Sequence, residues 1–251
     1  MEVRKTLGVV LDSNNLGEED SLATFYTRDY GLVRMAVQQG KKHTSFQSGL
    51  LQSFTWNKLE YYQGSGLARL NKLAKKYSFQ SLREDLKKMS YGSYVLEFYK
   101  LTGTSQGDIQ LYNHLIKTLL ILEKATKDHH FRCIYLIFRF LALEYLGFSL
   151  RLQQDNDPKG KNEPSYRQEK LLFSVAEGGV AEKNKISGDN YMIVADKTIN
   201  TLQAIREKGY QILDQEEISV AIREEINNIL DDFIDYHLDL KLRSERFLHI
   251  F

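Results

Sequence analysis

The 251-residue chain has one cysteine, Cys133, and two prolines, Pro158 and Pro164. A lone cysteine excludes an internal disulfide framework and any multi-cysteine zinc site. An excess of one charge is also missing. The formal net charge is +1, so no global basicity announces a nucleic-acid partner. Long hydrophobic runs are absent too. The most apolar stretch, residues 133–148, is interrupted by Arg139 and Glu144 and falls short of the roughly 20 residues that a spanning helix needs. Residues 6–11 are too few for the core of a signal peptide, and the cysteine usage points to the cytoplasm. No P-loop and no GxSxG elbow occurs, and Gly64-Ser65-Gly66 lacks the third glycine of a dinucleotide loop. What is present is 42% hydrophobic and 27% charged, with 13 Phe and 15 Tyr. That describes a globular chain able to bury a sizeable core, in one large domain or two small ones.

The near-neutral total conceals a gradient. Residues 1–80 carry net +4, residues 81–150 net +2 and residues 151–251 net −5. The basic third reads as β-structure. In Gly31–Gln39, Val33, Met35 and Val37 alternate with Arg34, Ala36 and Gln38, the period of a half-buried strand. Residues 6–11, 21–28, 54–62 and 67–77 supply four more strands, and Arg28–Gly31 and Gln63–Gly66 supply turns. Five short strands in so few residues predict a small closed barrel.

From Ser81 the period lengthens. Leu82, Leu86, Met89, Tyr94, Leu96 and Tyr99 suit a helix, as do Ile109–Lys124 and His130–Leu146, with Gly147 as a stop. Residues 152–168 hold both prolines among polar residues and read as an exposed loop. Short strands at 171–175 and 191–194 flank the Gly178-Gly179 turn. Helices return at 196–208 and 216–238, the latter with Ile218, Ile222, Ile226, Ile229, Phe233, Ile234 and His237 on one face.

Candidate catalytic groups are sparse. His129 and His130 are adjacent and point apart on a helix. Cys133 lies in an apolar run and reads as a core thiol. The acidic clusters at 18–20, 214–217 and 231–232 suit a loop and solvated helix faces. The cations are more informative. Arg28, Arg34, Lys41, Lys42, Lys58, Arg69, Lys72, Lys75 and Lys76 all fall on the expected barrel, interleaved with Phe46, Phe54, Trp56, Tyr61 and Tyr62. Cations that track phosphates, with aromatics that stack on bases, are how small barrels hold single strands. The competing reading of Lys72–Lys76 is solubilising charge at an exposed strand end.

Several segments together resemble the bacterial recombination mediator family RecO. They are Gly8–Leu11, Gly17-Glu18 with Asp20 and Leu22, Phe25–Arg28, Gly31-Leu32 with Arg34, and Gly40–Lys42. They continue with Leu51–Phe54, Ser78-Phe79, Leu82–Leu86, Tyr91, Ser93-Tyr94 with Leu96-Glu97, and Leu146–Phe148. The last is Leu242–Ser244 with Arg246–Leu248. Residues 152–195 depart from the pattern and lack the four cysteines that many members use for structural zinc. Ser53 replaces a proline, the basic loop after Gly40 is short, and Arg139 stands where a glutamate is common.

The resemblance implies an α+β chain without catalytic residues, metal or cofactor. An N-terminal five-stranded OB-fold barrel, residues 1–79, would precede a helical domain, residues 80–251, with a small zinc-free β-hairpin insertion at 152–195. It implies binding of single- and double-stranded DNA, annealing of complementary strands, and loading of the recombinase RecA with two partners: RecR and the C-terminal tail of single-stranded-DNA-binding protein. The expected DNA contacts are Arg28, Arg34, Lys41, Lys42, Lys72, Lys75 and Lys76, continued by Arg243 and Arg246. For the acidic, hydrophobic tail the candidates are Phe131, Arg132, Tyr135 and Arg139, with Phe138 beside them. Their alternative is a helix core with snorkelling arginines. A protein-binding adaptor whose barrel touches no nucleic acid is the competing function.

Overall fold

Alternation in the first 80 residues becomes a closed five-stranded barrel. The computed structural model describes residues 1–38, 49–153, 170–181, 191–214, 217–248 and 250. Strands β1 (Glu2–Leu16), β2 (Asp20–Thr27), β3 (Gly31–Val37), β4 (Thr55–Gln63) and β5 (Ala68–Ser78) close in the order β1-β2-β3-β5-β4. Every pairing is antiparallel except β3 with β5. This is the topology of an oligonucleotide-binding barrel. Val33, Met35 and Val37 point inward as the alternation predicts, beside Val10, Phe25, Leu59 and Tyr61. Phe25 is fully buried, so truncating it to alanine would cost about 3–5 kcal/mol.

Helices α1 (Ser81–Glu84), α2 (Leu86–Thr102) and α3 (Ile109–Lys124) follow. One continuous helix from Ser81 does not form. Asp85 is extended and its side chain accepts from the Lys88 N–H, starting α2 afresh. Asp108 caps α3 in the same way. Leu86 and Met89, expected on an apolar face, are exposed, because that face is broken at the cap. Next come α4 (Asp128–Tyr145), β6 (Lys170–Ser174), β7 (Gly179–Val180) and β8 (Tyr191–Ala195). The chain then continues with α5 (Asp196–Lys208), a 3-10 turn (Gly209–Asp214), α6 (Val220–Leu238) and α7 (Glu245–Leu248).

Packing divides the chain into two compact units, Met1–Ala125 with Leu242–Phe251, and Thr126–Lys241. The first therefore takes in α1–α3 and the C-terminal segment together with the barrel. Its joints are built from the family-like segments. Phe54 is held at φ 64, its N–H on the Val10 carbonyl and its own carbonyl on the Phe79 N–H. Its ring lies where a Cβ on Gly92 would come within 2.7 Å. Arg83 donates to the Ser53 carbonyl and the Ser78 hydroxyl. Glu97 accepts from the backbone N–H groups of Arg243 and Ser244 and from the Ser244 hydroxyl.

In the second unit α4 is buried along most of its length, and the isoleucine face of α6 is buried as expected. Gly147 ends α4 region geometry at φ 90. The expected hairpin is instead a three-stranded antiparallel sheet, β7-β6-β8. The short β7 adds itself to β6 through Phe173–Val180, and local alternation cannot signal a two-residue strand. His237 bonds the Val175 carbonyl at 2.9 Å and packs on Phe233, a structural role.

Candidate nucleic-acid interface

The barrel has two unlike outer faces. Around β1, β2 and β3 the outer surface is sealed by helix. Tyr26 meets Tyr99 of α2 edge-on at 4.9 Å, and Lys100 pairs with Asp12. The Leu32 N–H donates to the Thr104 carbonyl. The β2–β3 turn interlocks with residues 103–107. A Cβ on Gly31, at φ +57, would lie 2.3 Å from the Thr104 carbonyl oxygen, and one on Gly107 2.3 Å from that of Asp29. Only glycine permits so close an approach of two backbones. The β1–β2 turn, at the opposite end of β2 from Gly31, carries Glu18 and Glu19.

Across β1, β4 and β5 the outer face is open, except at its Trp56–Tyr77 end, where α3 meets it through Tyr112 and Glu123. Of the eleven residues of β5 only Ala68 is buried. Register sets Lys5 opposite Glu60 and Glu60 opposite Lys72. Leu7, Lys58 and Ala74 form the next rung, and Val3, Tyr62 and Arg69 the rung on the other side. Lys76 covers the Trp56 ring at 3.7 Å. At the β3–β5 seam Arg69 lies opposite Ala36, two residues from exposed Arg34. Lys5, Lys58, Arg69, Lys72 and Lys76 thus share one surface, with Arg34 at its margin and Lys75 exposed beside it.

One carboxylate lies among them. Glu60 is 3.4 Å from the Lys5 ammonium and 3.7 Å from that of Lys72, and it accepts from the Asn71 amide at 2.5 Å. Desolvation pushes its pKa up. The hydrogen bonds from Asn71 and Lys5 and the charges of Lys72 and Lys5 outweigh this and hold it below the ordinary value.

Of the other expected DNA contacts, Arg28 is exposed in the β2–β3 turn near Asp29, its N–H on the Leu7 carbonyl, at the edge of the Leu7–Lys58–Ala74 rung. Lys41 and Lys42 lie outside the described residues. Arg243 and Arg246 ride on the Glu97 clamp. At 100° per residue, Glu97 is on the side of α2 turned away from Gly92 and Tyr99, which face the barrel. The stacking aromatics need correction. Phe54 and Tyr61 are core side chains, because their strand positions face inward. The Trp56 indole donates to the Tyr112 hydroxyl at 2.6 Å, and burial pushes that phenol up to about 12. Phe46 lies outside the described residues, which leaves Tyr62. Lys5 was missed by sequence reasoning, since nothing local ties β1 to β4.

The expected tail groove on α4 is likewise corrected. Phe131, Phe138 and Arg139 are buried, the arginine 2% exposed. Arg139 pairs with Asp231, reaches Asn227 at 3.5 Å and lies over Tyr135. Burial of a charge requires such partners. Arg132 is exposed and Tyr135 half-buried.

Nothing described resembles a catalytic centre. A cavity of about 360 Å³ in the second unit is lined by Val175, Ala176, Tyr191, Met192, Asp232, Asp235 and Tyr236, without a histidine, cysteine or serine. Burial raises the Cys133 thiol pKa. Among the described residues no group of three His, Cys, Asp or Glu could hold a metal, and no helix is long and apolar enough to cross a membrane.

Residues 1–79 match the family model described as recombination protein O N terminal, and residues 83–246 match recombination protein O C terminal. A DNA repair protein RecO of Alkaliphilus metalliredigens is 28% identical over 240 residues, 94% of each chain. That of Bacillus pumilus is 25% identical over 98% of this chain and 93% of its own. That of Desulforamulus reducens is 22% identical over 99% and 94%. With an OB-type barrel, a helical region and both family models in register along the sequence, the chain belongs to the RecO family of DNA repair and recombination proteins.

Proposed function

We propose that this protein binds single- and double-stranded DNA on the β1–β4–β5 face of its barrel and anneals complementary strands. With RecR and the tail of single-stranded-DNA-binding protein, it would help load RecA onto coated DNA. It acts in the cytoplasm at the chromosome and makes or breaks no covalent bond. The observation that carries this reading is the shared surface of Lys5, Lys58, Arg69, Lys72 and Lys76. Annealing requires two polyanions to approach. A cationic sheet lowers their repulsion by neutralising phosphate and releasing counterions, and base pairing between the strands supplies the sequence information. With Phe54 and Tyr61 buried and Trp56 engaged, contact is mainly to backbone, with Tyr62 as the described aromatic left to stack, which suits duplex and single strand alike. Arg34 extends the surface. Lys41 and Lys42, four and five residues after the end of β3 in sequence, are proposed as further contacts. Arg243 and Arg246 would act separately, and Arg132 with Tyr135 is what α4 offers to an acidic tail.

Duplex formation between complementary strands, bare or coated with single-stranded-DNA-binding protein, tests this when followed at several salt concentrations. The reading expects acceleration that fades as salt rises. No acceleration in any condition would overturn it. The adaptor reading draws on the near-neutral net charge, the short basic loop after Gly40 and the acidic β1–β2 turn. It expects no DNA retention and a stable complex with a protein partner.

A further inference from the structure

We propose that Glu60 is a built-in counterion that competes with nucleic-acid phosphates for Lys5 and Lys72, keeping strand binding on this face readily reversible. The inference rests on the DNA-binding reading above and concerns how that binding is tuned. It starts from register. Lys5, Glu60 and Lys72 occupy one rung of three hydrogen-bonded strands, so the two ammonium groups flank a single carboxylate. No other acidic residue occurs in β4 or β5.

The three side chains are unequally held. Glu60 is 18% exposed and anchored by the Asn71 amide, whereas Lys5 and Lys72 are 74% and 75% exposed. The lysines can swing toward an arriving phosphate on their flexible stems. The carboxylate cannot follow. Each phosphate that recruits them therefore gives up an existing ion pair and approaches a fixed negative charge. Its depressed pKa keeps Glu60 ionised at neutral pH, so the competition is present under working conditions. A strand-annealing protein must release its product, and a fixed counterion in the cationic surface shortens residence without removing the cations that promote encounter.

Titration of a labelled single strand across a salt series tests this. Glu60→Gln retains an acceptor for Asn71 and removes the charge. It should bind roughly three- to ten-fold tighter at about 0.1 M salt, with a log–log salt slope steeper by up to about 0.7 for each lysine freed. Glu60→Ala, which also drops the Asn71 bond, should tighten binding similarly. Adding Lys5→Gln and Lys72→Gln to Glu60→Gln should abolish the gain. Glu18→Gln makes the same change of net charge in the β1–β2 turn and should stay within about two-fold of the parent. Glu60→Gln binding like the parent, or Glu18→Gln matching it, would overturn the inference. If Lys58→Glu with Lys72→Glu left affinity unchanged, the DNA-binding face itself would be wrong, a result distinct from failure of Glu60→Gln alone.

Discussion

Strands β2 and β5 belong to one barrel and have opposite surroundings. No residue of β2 is exposed, while seven of the eleven in β5 are. Both contribute an inward row to the same core. They differ in what covers the outer row. For β2 it is α2, through Tyr26 and Tyr99. For β5 it is solvent, met by Arg69, Lys72, Lys75 and Lys76. One barrel therefore carries a structural face and a cationic face. The oligonucleotide face usual for this topology, β2–β3, is the one given to packing.

The contrast can be broken first where the structural face is tightest. Gly31→Val would drive a Cβ into the Thr104 and Gln106 carbonyls at a positive φ. It should cost about 3 kcal/mol or more, read as a large fall in Tm. The next effect comes from His114, buried in the same unit. Its Nδ1 lies 3.0 Å from the Tyr99 hydroxyl, which also donates to the Leu111 carbonyl. Burial, with the nearby Lys117 charge adding, pushes its pKa down to about 3. The native state thus holds His114 neutral, while the unfolded chain protonates it near 6.5. This contribution is complete above about pH 6.5 and is lost as pH falls toward 3, at up to about 1.4 kcal/mol per pH unit. Urea titrations at pH 7 and 5 should show the loss, and His114→Gln should flatten it.

The cationic face should respond in binding far more than in folding. Lys58→Glu with Lys72→Glu should weaken single-strand affinity about ten-fold or more at about 0.1 M salt and shallow the salt slope by about 0.7 per lysine. Its Tm should fall by no more than a few degrees, since the like charge set opposite Glu60 costs little on an exposed strand pair. The smallest effect is expected from Lys100→Gln, on the helix that covers the sealed side and paired there with Asp12, within about three-fold in affinity. If it matched the double lysine variant, the distinction between the two faces would collapse.

Much of this architecture is legible along the chain. The alternation of Val33, Met35 and Val37 identifies β3, and the period of residues 109–124 identifies α3 to the residue. Both are local patterns with a fixed geometric cause. What fails is equally specific. Phe54 and Tyr61 have the composition of stacking residues, and only the strand's inward parity makes them core. Phe131 and Arg139 read as a groove with a cationic rim, yet both are buried, because the carboxylate that answers Arg139 is Asp231, on another helix. Conversely, the family-like segments around Phe54, Arg83, Glu97 and Ser244 are intelligible only as contacts, since each holds a partner distant in sequence.

By itself the sequence determined most of the element types, the inward row of β3, the charge gradient and the family, because periodicity, charge and ordered short motifs are properties of neighbours along the chain. Only the tertiary structure decided which cations form one surface. Lys5, Glu60 and Lys72 meet because β1 pairs with β4 and β4 with β5. Strand pairing across such separations is selected by closure of the whole barrel, which no local pattern encodes.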